Sequence, residues 1–244
     1  MKTIILAAGY ATRMYPLTER RAKPLLDVGG KPILDWLFED LASATDEFIL
    51  VSNHRFYPDF VSWAEGKKVR VLDDGTTSNE TRLGAVRDML LAAEGIQEET
   101  LVIAGDNLLE FSLVPFIRFA RIRGCSCVMC HEERNIQALR KTAVISVDAE
   151  GRITGYQEKP ENPAGHLAVP PFYWFIPQDL RRLGEALQDG CPADSPGSFA
   201  AWLSRRAPMC AWVMPGRRFD VGSLQSYEEI RESYHGPFSD GLSG

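Results

Sequence analysis

Hydrophobic positions fall into two rhythms along the first half of the chain. Residues 3–6 (Thr-Ile-Ile-Leu) are a short apolar run that stops at Ala-Ala-Gly, the pattern of a buried strand. Ile33, Leu34, Leu37 and Leu41 recur at helical spacing and predict a helix over 33–44. Strand-like runs follow at 47–51, 69–72 and 101–104, separated by helical patterns at 57–65, 82–93 and 113–121. In the helix over 82–93, Leu83, Val86, Leu90 and Leu91 lie on one side. Strands alternating with helices imply right-handed crossovers and a mainly parallel sheet. After Gly124 the texture changes. Residues 125–130, 142–147, 152–157 and 172–176 read as strands joined by turns such as Asp148-Ala149-Glu150-Gly151. Helical patterns return at 178–187, 198–204 and 224–234, while 189–197 and 235–244 read as loops.

Composition adds limits. The 244 residues are 45% hydrophobic, 25% charged and 10% aromatic, which excludes collagen-like, low-complexity and wholly disordered classes. No repeat and no long linker interrupts the pattern, so one α/β layered domain over 1–235 is expected, with a β-rich part from 125 and a tail at 236–244. Lys plus Arg number 27 against 33 for Asp plus Glu, a net charge of -6. Broad electrostatic binding to nucleic acid or to an anionic membrane is not expected, although a local basic pocket is compatible with that balance. No apolar run approaches the roughly 18–20 residues of a membrane helix, and the first apolar run is too short for a signal peptide, so a cytoplasmic protein is expected. Five cysteines, an odd number, fit reduced thiols better than a disulfide framework. Cys125, Cys127 and Cys130 invite a zinc reading, but no second ligand pair is evident, and buried, inert thiols are the better expectation.

Ligands of open α/β sheets bind beyond the carboxyl ends of the strands. Three polar clusters fall there: residues 9–23, Gly105-Asp106-Asn107, and Glu158-Lys159. The first begins Leu6-Ala7-Ala8-Gly9-Tyr10-Ala11-Thr12-Arg13 and continues through Pro16-Leu17-Thr18 to Lys23-Pro24. Small residues leaving a strand permit a turn close to a ligand, and successive amide N–H groups in such a turn hold an anion. Arg13 can bridge phosphate oxygens in two-point fashion, and Lys23 adds a point charge. Neither a Walker A loop nor a dinucleotide fingerprint is present.

This segment resembles the signature of the sugar-phosphate nucleotidyltransferases, Leu-Ala-Ala-Gly-x-Gly-Thr-Arg-x-x-Pro-Leu-Thr followed by Lys-Pro-Leu and a second Lys-Pro, here Lys31-Pro32. Ala11 stands where the family usually has its second glycine. The resemblance continues through Gly105-Asp106-Asn107, Glu158-Lys159-Pro160 and Asp220-Val221-Gly222-Ser223, and it spans residues 2–234. It implies a Rossmann-like layered αβα fold with a mixed, mainly parallel central sheet and a β-rich sugar-binding part. Residues 1–124 would form the nucleotide-binding part and 125–235 the sugar-phosphate-binding part. The implied reaction is nucleotidyl transfer from a nucleoside triphosphate to a sugar-1-phosphate, giving a nucleotide-sugar and pyrophosphate.

Carried onto this chain, the family's motifs make Arg13, Lys23 and Asp106 catalytic. Leu6 to Arg13 and Asp106 would hold the nucleotide. Asn107, Glu158, Lys159 and Tyr173 would meet the sugar phosphate, and Asp106 and Asp220 would bind Mg²⁺. Pro171 replaces a usual glycine in the substrate-lining segment that carries Tyr173, so the sugar pocket is expected to be reshaped. Asn79, Thr81 and Gly84 are candidates to contact the base. The same stretch also reads as a capped helix start, with Ser78 or Asn79 at the cap and Arg82 exposed. Neither base nor sugar is named by these motifs. A bare catalytic form is expected, with a homodimer left open. Two alternatives stand beside it: a cytidylyltransferase acting on phosphocholine or a polyol phosphate, and a non-catalytic homologue. The second predicts lost metal carboxylates, yet Asp106 and Asp220 are both present.

Overall fold

A computed structural model of the chain describes residues 1–237. In chain order the strands are β1 (Lys2–Leu6), β2 (Asp27–Val28), β3 (Lys31–Pro32), β4 (Glu47–Ser52), β5 (Val69–Asp73), β6 (Thr100–Ala104), β7 (Asn107–Leu109), β8 (Ser126–Glu132), β9 (Ala143–Val147), β10 (Ile153–Glu158), β11 (Leu167–Val169), β12 (Phe172–Phe175), β13 (Met209–Val213) and β14 (Arg218–Asp220). The helices are α1 (Ile33–Leu41), α2 (Tyr57–Ala64), α3 (Ala85–Ala92), α4 (Val114–Arg123), α5 (Ile136–Leu139), α6 (Pro177–Leu180), α7 (Leu183–Gln188), α8 (Pro196–Leu203) and α9 (Leu224–Ile230). This is the α/β architecture with a mixed sheet that the sequence predicts. The expected tail falls, beyond residue 237, outside the described residues.

The chain forms two compact units, each drawn from three stretches. The first comprises Met1–Ile4, Leu83–Ile103 and Phe116–Met214. Its strands lie in the order β10-β9-β11-β8-β12-β6, with β13 beside β8. Pairing is antiparallel along that order, and β13 runs parallel to β8. Phe172, Trp174 and Phe175 on β12 are fully buried, and Phe175 meets Phe199 of α8 with ring centroids 5.1 Å apart. Burying each such ring removes an apolar side chain from water, a contribution of roughly 1.5–3 kcal/mol.

The second unit comprises Ile5–Arg82, Ala104–Pro115 and the chain from Pro215. Here β4 and β5 run parallel, as the alternation of strand and helix predicts. β7 pairs antiparallel with β14. A cluster of Met14, Val28, Ile33, Leu108, Val221 and Ile230 packs the opening loop, α1, the β7–β14 pair and α9 together. Ser223 caps α9, its hydroxyl accepting from the Ser226 N–H at 3.1 Å.

Several expected boundaries move. The helix predicted over 82–93 begins at Ala85, because Gly84 has φ 91, outside the helical region. Its Cα also lies so close to Ala193 that a Cβ would come within 2.6 Å of that carbonyl oxygen. The helix predicted over 178–187 is two, α6 and α7, with Arg182 turning the chain at ψ 2. The strands β2, β3, β7, β11, β13 and β14 were not predicted, β2 and β3 having two residues each. Three others, β7, β11 and β14, have three residues each, too few for a period-two pattern. Among the described residues, no helix is long and apolar enough to cross a membrane.

Candidate functional site

β1 ends at Leu6 and delivers the loop 7–11, whose direction is set by buried anchors. The Ala7 N–H donates to Val51 O at 2.9 Å. Asn53, fully buried, donates from Nδ2 to Ala8 O at 3.0 Å and accepts the Phe56 N–H. Tyr10 is also buried, and its hydroxyl donates to Thr76 O at 2.8 Å. Burial pushes its phenol up from the ordinary value. Tyr10 therefore anchors the loop, and its side chain is spent on the protein. Ala11 adopts the left-handed conformation, φ 47 and ψ 41. Its carbonyl accepts from the Met14 N–H at 2.9 Å and from the Thr18 hydroxyl at 2.8 Å. Thr12 and Arg13 stay exposed while Met14 is driven into the core. The loop thus has buried stays at Ala7, Ala8 and Tyr10, and a surface that presents Gly9, Thr12 and Arg13.

That loop borders a cavity of about 190 Å³ lined by Gly9, Ala11, Arg13, Lys23, Asp106 and Gly222, among others. Lys23 enters from a single helical turn, Lys23–Leu25, and its side chain is 9% exposed. Its ammonium donates to Asp106 Oδ2 at 2.7 Å and lies 3.5 Å from Asp220 Oδ1. Both carboxylates therefore converge on one cation. The β7–β14 pairing brings them together, since its register sets Asp220 opposite Asn107, the neighbour of Asp106. Asn107 is buried and locks the geometry. Its Nδ2 donates to Asp106 Oδ1 at 3.0 Å and to Ala104 O at 3.3 Å, and its Oδ1 accepts from Arg218 at 2.7 Å. The side chain assigned from sequence to the sugar phosphate thus holds a carboxylate in place. Arg218 and Asn53, which support this site, were missed from sequence because neither stands in a recognisable motif.

Asn79 and Thr81 lie in a helical turn capped by Ser78. The Thr81 hydroxyl donates to Ser78 O at 3.1 Å, and the Arg82 guanidinium donates to Asn79 Oδ1 at 3.4 Å. Ser78 thus caps this single turn and not α3, whose cap position is Gly84, without a side-chain hydrogen bond.

A second cavity, about 460 Å³, lies in the first unit. Glu158, Lys159, Ser195, Ser198, Trp202 and Arg205 contribute to its wall. Glu158 ends β10, and Lys159 follows in the left-handed region with φ 45, its N–H donating to Thr142 O at 3.2 Å. The sharp turn leaves Lys159 exposed and Glu158 half-buried. Burial raises the Glu158 carboxyl above its ordinary value, against a hydrogen bond from Ser195 and the charge of Lys159. Among the described residues its Oε2 has no hydrogen-bond partner. A buried acceptor without a donor is costly, so an incoming hydroxyl has something to gain there. Gly197 of α8 closes against this carboxylate. A Cβ at Gly197 would land on it and come 3.2 Å from the Tyr173 hydroxyl, so Tyr173 and Glu158 both lie beside Gly197. The segment 189–205 carried no motif, and its part in the cavity was not legible.

Residues 2–236 match the family model described as nucleotidyl transferase. Over 175 residues the chain is 31% identical to the bifunctional protein GlmU of Methanocaldococcus jannaschii, covering 72% of this chain and 40% of that protein. It is 26% identical over 178 residues to the UTP–glucose-1-phosphate uridylyltransferase AglF of Haloferax volcanii, covering 72% of each. The fold matches a crystal structure assigned as a glucose-1-phosphate thymidylyltransferase from Bacillus anthracis, with a TM-score of 0.82, 19% identity and 96% of both chains covered. With its opening loop, its paired acids and nearly its whole length inside that family model, the chain belongs to the nucleotidyl transferase family.

Proposed function

We propose that the protein catalyses Mg²⁺-dependent nucleotidyl transfer from a nucleoside triphosphate to a sugar-1-phosphate, releasing pyrophosphate and a nucleotide-sugar. The observation that carries this reading is the convergence of Asp106 and Asp220 on the Lys23 ammonium, at 2.7 and 3.5 Å, beside the loop after β1. Two carboxylates sharing a cation are hard oxygen donors of the kind Mg²⁺ takes together with substrate phosphates and waters. They suit that ion, and they are the residues that would hold it. Mg²⁺ bound there supplies charge neutralisation for the triphosphate.

The chain's own work is positioning and neutralisation, because phosphoryl chemistry of this kind needs no protein nucleophile. The loop from Ala8 to Thr12, through its amides, and the exposed Arg13 hold the triphosphate. Lys23 faces charge that develops at the α-phosphoryl group. Asn107, with Arg218 behind it, keeps Asp106 in place. In the sugar-phosphate part, the half-buried Glu158 accepts a sugar hydroxyl, Tyr173 backs it, and the exposed Lys159 meets the phosphate. Asn79, Thr81 and Gly84 remain the stretch assigned to the base. The local basic residues reconcile a net charge of -6 with two anionic substrates. Five free thiols suit a reducing compartment such as the cytoplasm.

The test is pyrophosphate release across a panel of nucleoside triphosphates, with sugar-1-phosphates, phosphocholine and polyol phosphates as acceptors, each with and without Mg²⁺. Turnover that needs both Mg²⁺ and a sugar-1-phosphate supports the reading. Turnover confined to phosphocholine or a polyol phosphate overturns the acceptor class. Triphosphate binding without any release overturns the enzyme.

A further inference from the structure

β8 and β13 lie side by side in parallel register, with Cys210 opposite Cys127. Residues two apart on a strand share a face, and so do cross-strand neighbours, so Cys125, Cys127 and Cys210 gather where β8 begins. Cys125 Sγ lies 3.4 Å from Cys210 Sγ, and the Cys127 thiol points to Cys125 O at 3.4 Å. The three thiols are not equivalent. Cys127 is fully buried and Cys210 is 5% exposed, whereas Cys125 is half-buried and within reach of solvent. Cys125 therefore departs from the expectation of buried thiols. Hydrogen bonding from Cys127 holds the Cys125 thiol below the usual range despite partial burial, helped by Cys210 and the Arg123 guanidinium. Burial, together with its contact to Cys125, pushes the Cys210 thiol up to about 11. Among the described residues, no group of three or more His, Cys, Asp or Glu side chains is arranged to hold a metal ion.

We infer that Cys125 and Cys210 form a site of reversible oxidation by hydroperoxides, with Cys125 attacking and Cys210 resolving. In the first step the Cys125 sulfur bonds to one peroxide oxygen, and the O–O bond breaks. The other oxygen leaves as hydroxide and takes up the thiol proton as water. In the second step the Cys210 sulfur bonds to the Cys125 sulfur, the S–O bond breaks, and the departing hydroxide takes the Cys210 proton as a second water. Two thiols and one hydrogen peroxide thus become one disulfide and two waters; each sulfur is oxidised and each peroxide oxygen reduced. The two sulfurs, 3.4 Å apart, must close to the roughly 2.05 Å of a disulfide bond. Cys125 precedes β8 and is two residues out of register with Cys210, so closure calls on the backbone at the start of the strand as well as on side-chain rotation. Cys127 lies directly opposite Cys210 but is fully buried, so the solvent-reachable Cys125 is the thiol that meets the peroxide.

The experiment treats the fully reduced, full-length protein with hydrogen peroxide, counts thiols after denaturation, and maps unreduced peptides by mass spectrometry. The expected result is loss of two of the five thiols, a peptide pair linked through Cys125 and Cys210, and recovery with dithiothreitol. Cys210→Ser should then accumulate a sulfenic acid at Cys125, trapped by dimedone several-fold above the wild-type level. Five persistent thiols, a link through other cysteines, or sulfenic acid located elsewhere in Cys210→Ser would each overturn the assignment. The wild-type peptide map decides the matter even if Cys210→Ser does not fold.

Discussion

Replacing Ala11 with glycine should stabilise the protein, and the size of the gain follows from the backbone. Ala11 lies at φ 47 and ψ 41, where a Cβ crowds the following carbonyl oxygen. That conformation costs an L-residue roughly 1–2 kcal/mol. The loop imposes it from outside: the Ala11 carbonyl is held by the Met14 N–H and the Thr18 hydroxyl, and Met14 is 1% exposed in the core. Glycine removes the crowding but frees the unfolded chain, which offsets about 0.4–1 kcal/mol. The net gain is about 0.5–1 kcal/mol, or about 1–4 °C in melting temperature for a chain of this length. Urea and thermal unfolding of wild type and Ala11→Gly measure it, with Ala11→Val as a control. Valine, branched at Cβ, should lose stability at the same position. If glycine is neutral or destabilising at an unchanged urea m-value, or if valine matches alanine, the turn does not carry the strain described.

Three further outcomes are expected. Asp106→Asn should lower Mg²⁺-dependent pyrophosphate release by about 10²-fold or more, while the melting temperature stays close to wild type; near-normal turnover across a Mg²⁺ titration would remove Asp106 from the metal site. Gly197→Ala sets a methyl group on the Glu158 carboxylate. It should cost about 1–3 kcal/mol of stability by overpacking and raise KM for the sugar phosphate but not for the triphosphate, a split that steady-state kinetics reads directly. Burial raises the folded-state pKa of Glu158, so the folded protein holds that proton more tightly than the unfolded chain. The associated stability is complete below the unfolded value of about 4.3 and is lost as pH rises through the raised folded value. Glu158→Gln should flatten that part of the stability–pH curve, and urea midpoints with an unchanged slope would contradict it.

What could be read from the sequence was local. The opening loop shows itself because strand, turn and cation are contiguous, and the motifs at Asp106, Glu158 and Asp220 show which chemistry each residue can do. Their partners are set by strand register, which these short strands do not advertise. β7 and β14 have three residues each, yet their pairing joins Arg218 to Asn107 across 111 positions and brings Asp220 to the cation that also holds Asp106. The same gap hid the thiol pair. Alternation along β8 ranks Cys125, Cys127 and Cys130 against one another, but Cys210 arrives on β13, a strand the hydrophobic pattern did not reveal. Asn107 shows a second role: its motif points to substrate contact, and its burial and two-sided hydrogen bonding also make it a support for Asp106. A side chain's identity therefore limits the chemistry available at a position, and long-range pairing decides whether that chemistry faces a substrate or another part of the chain.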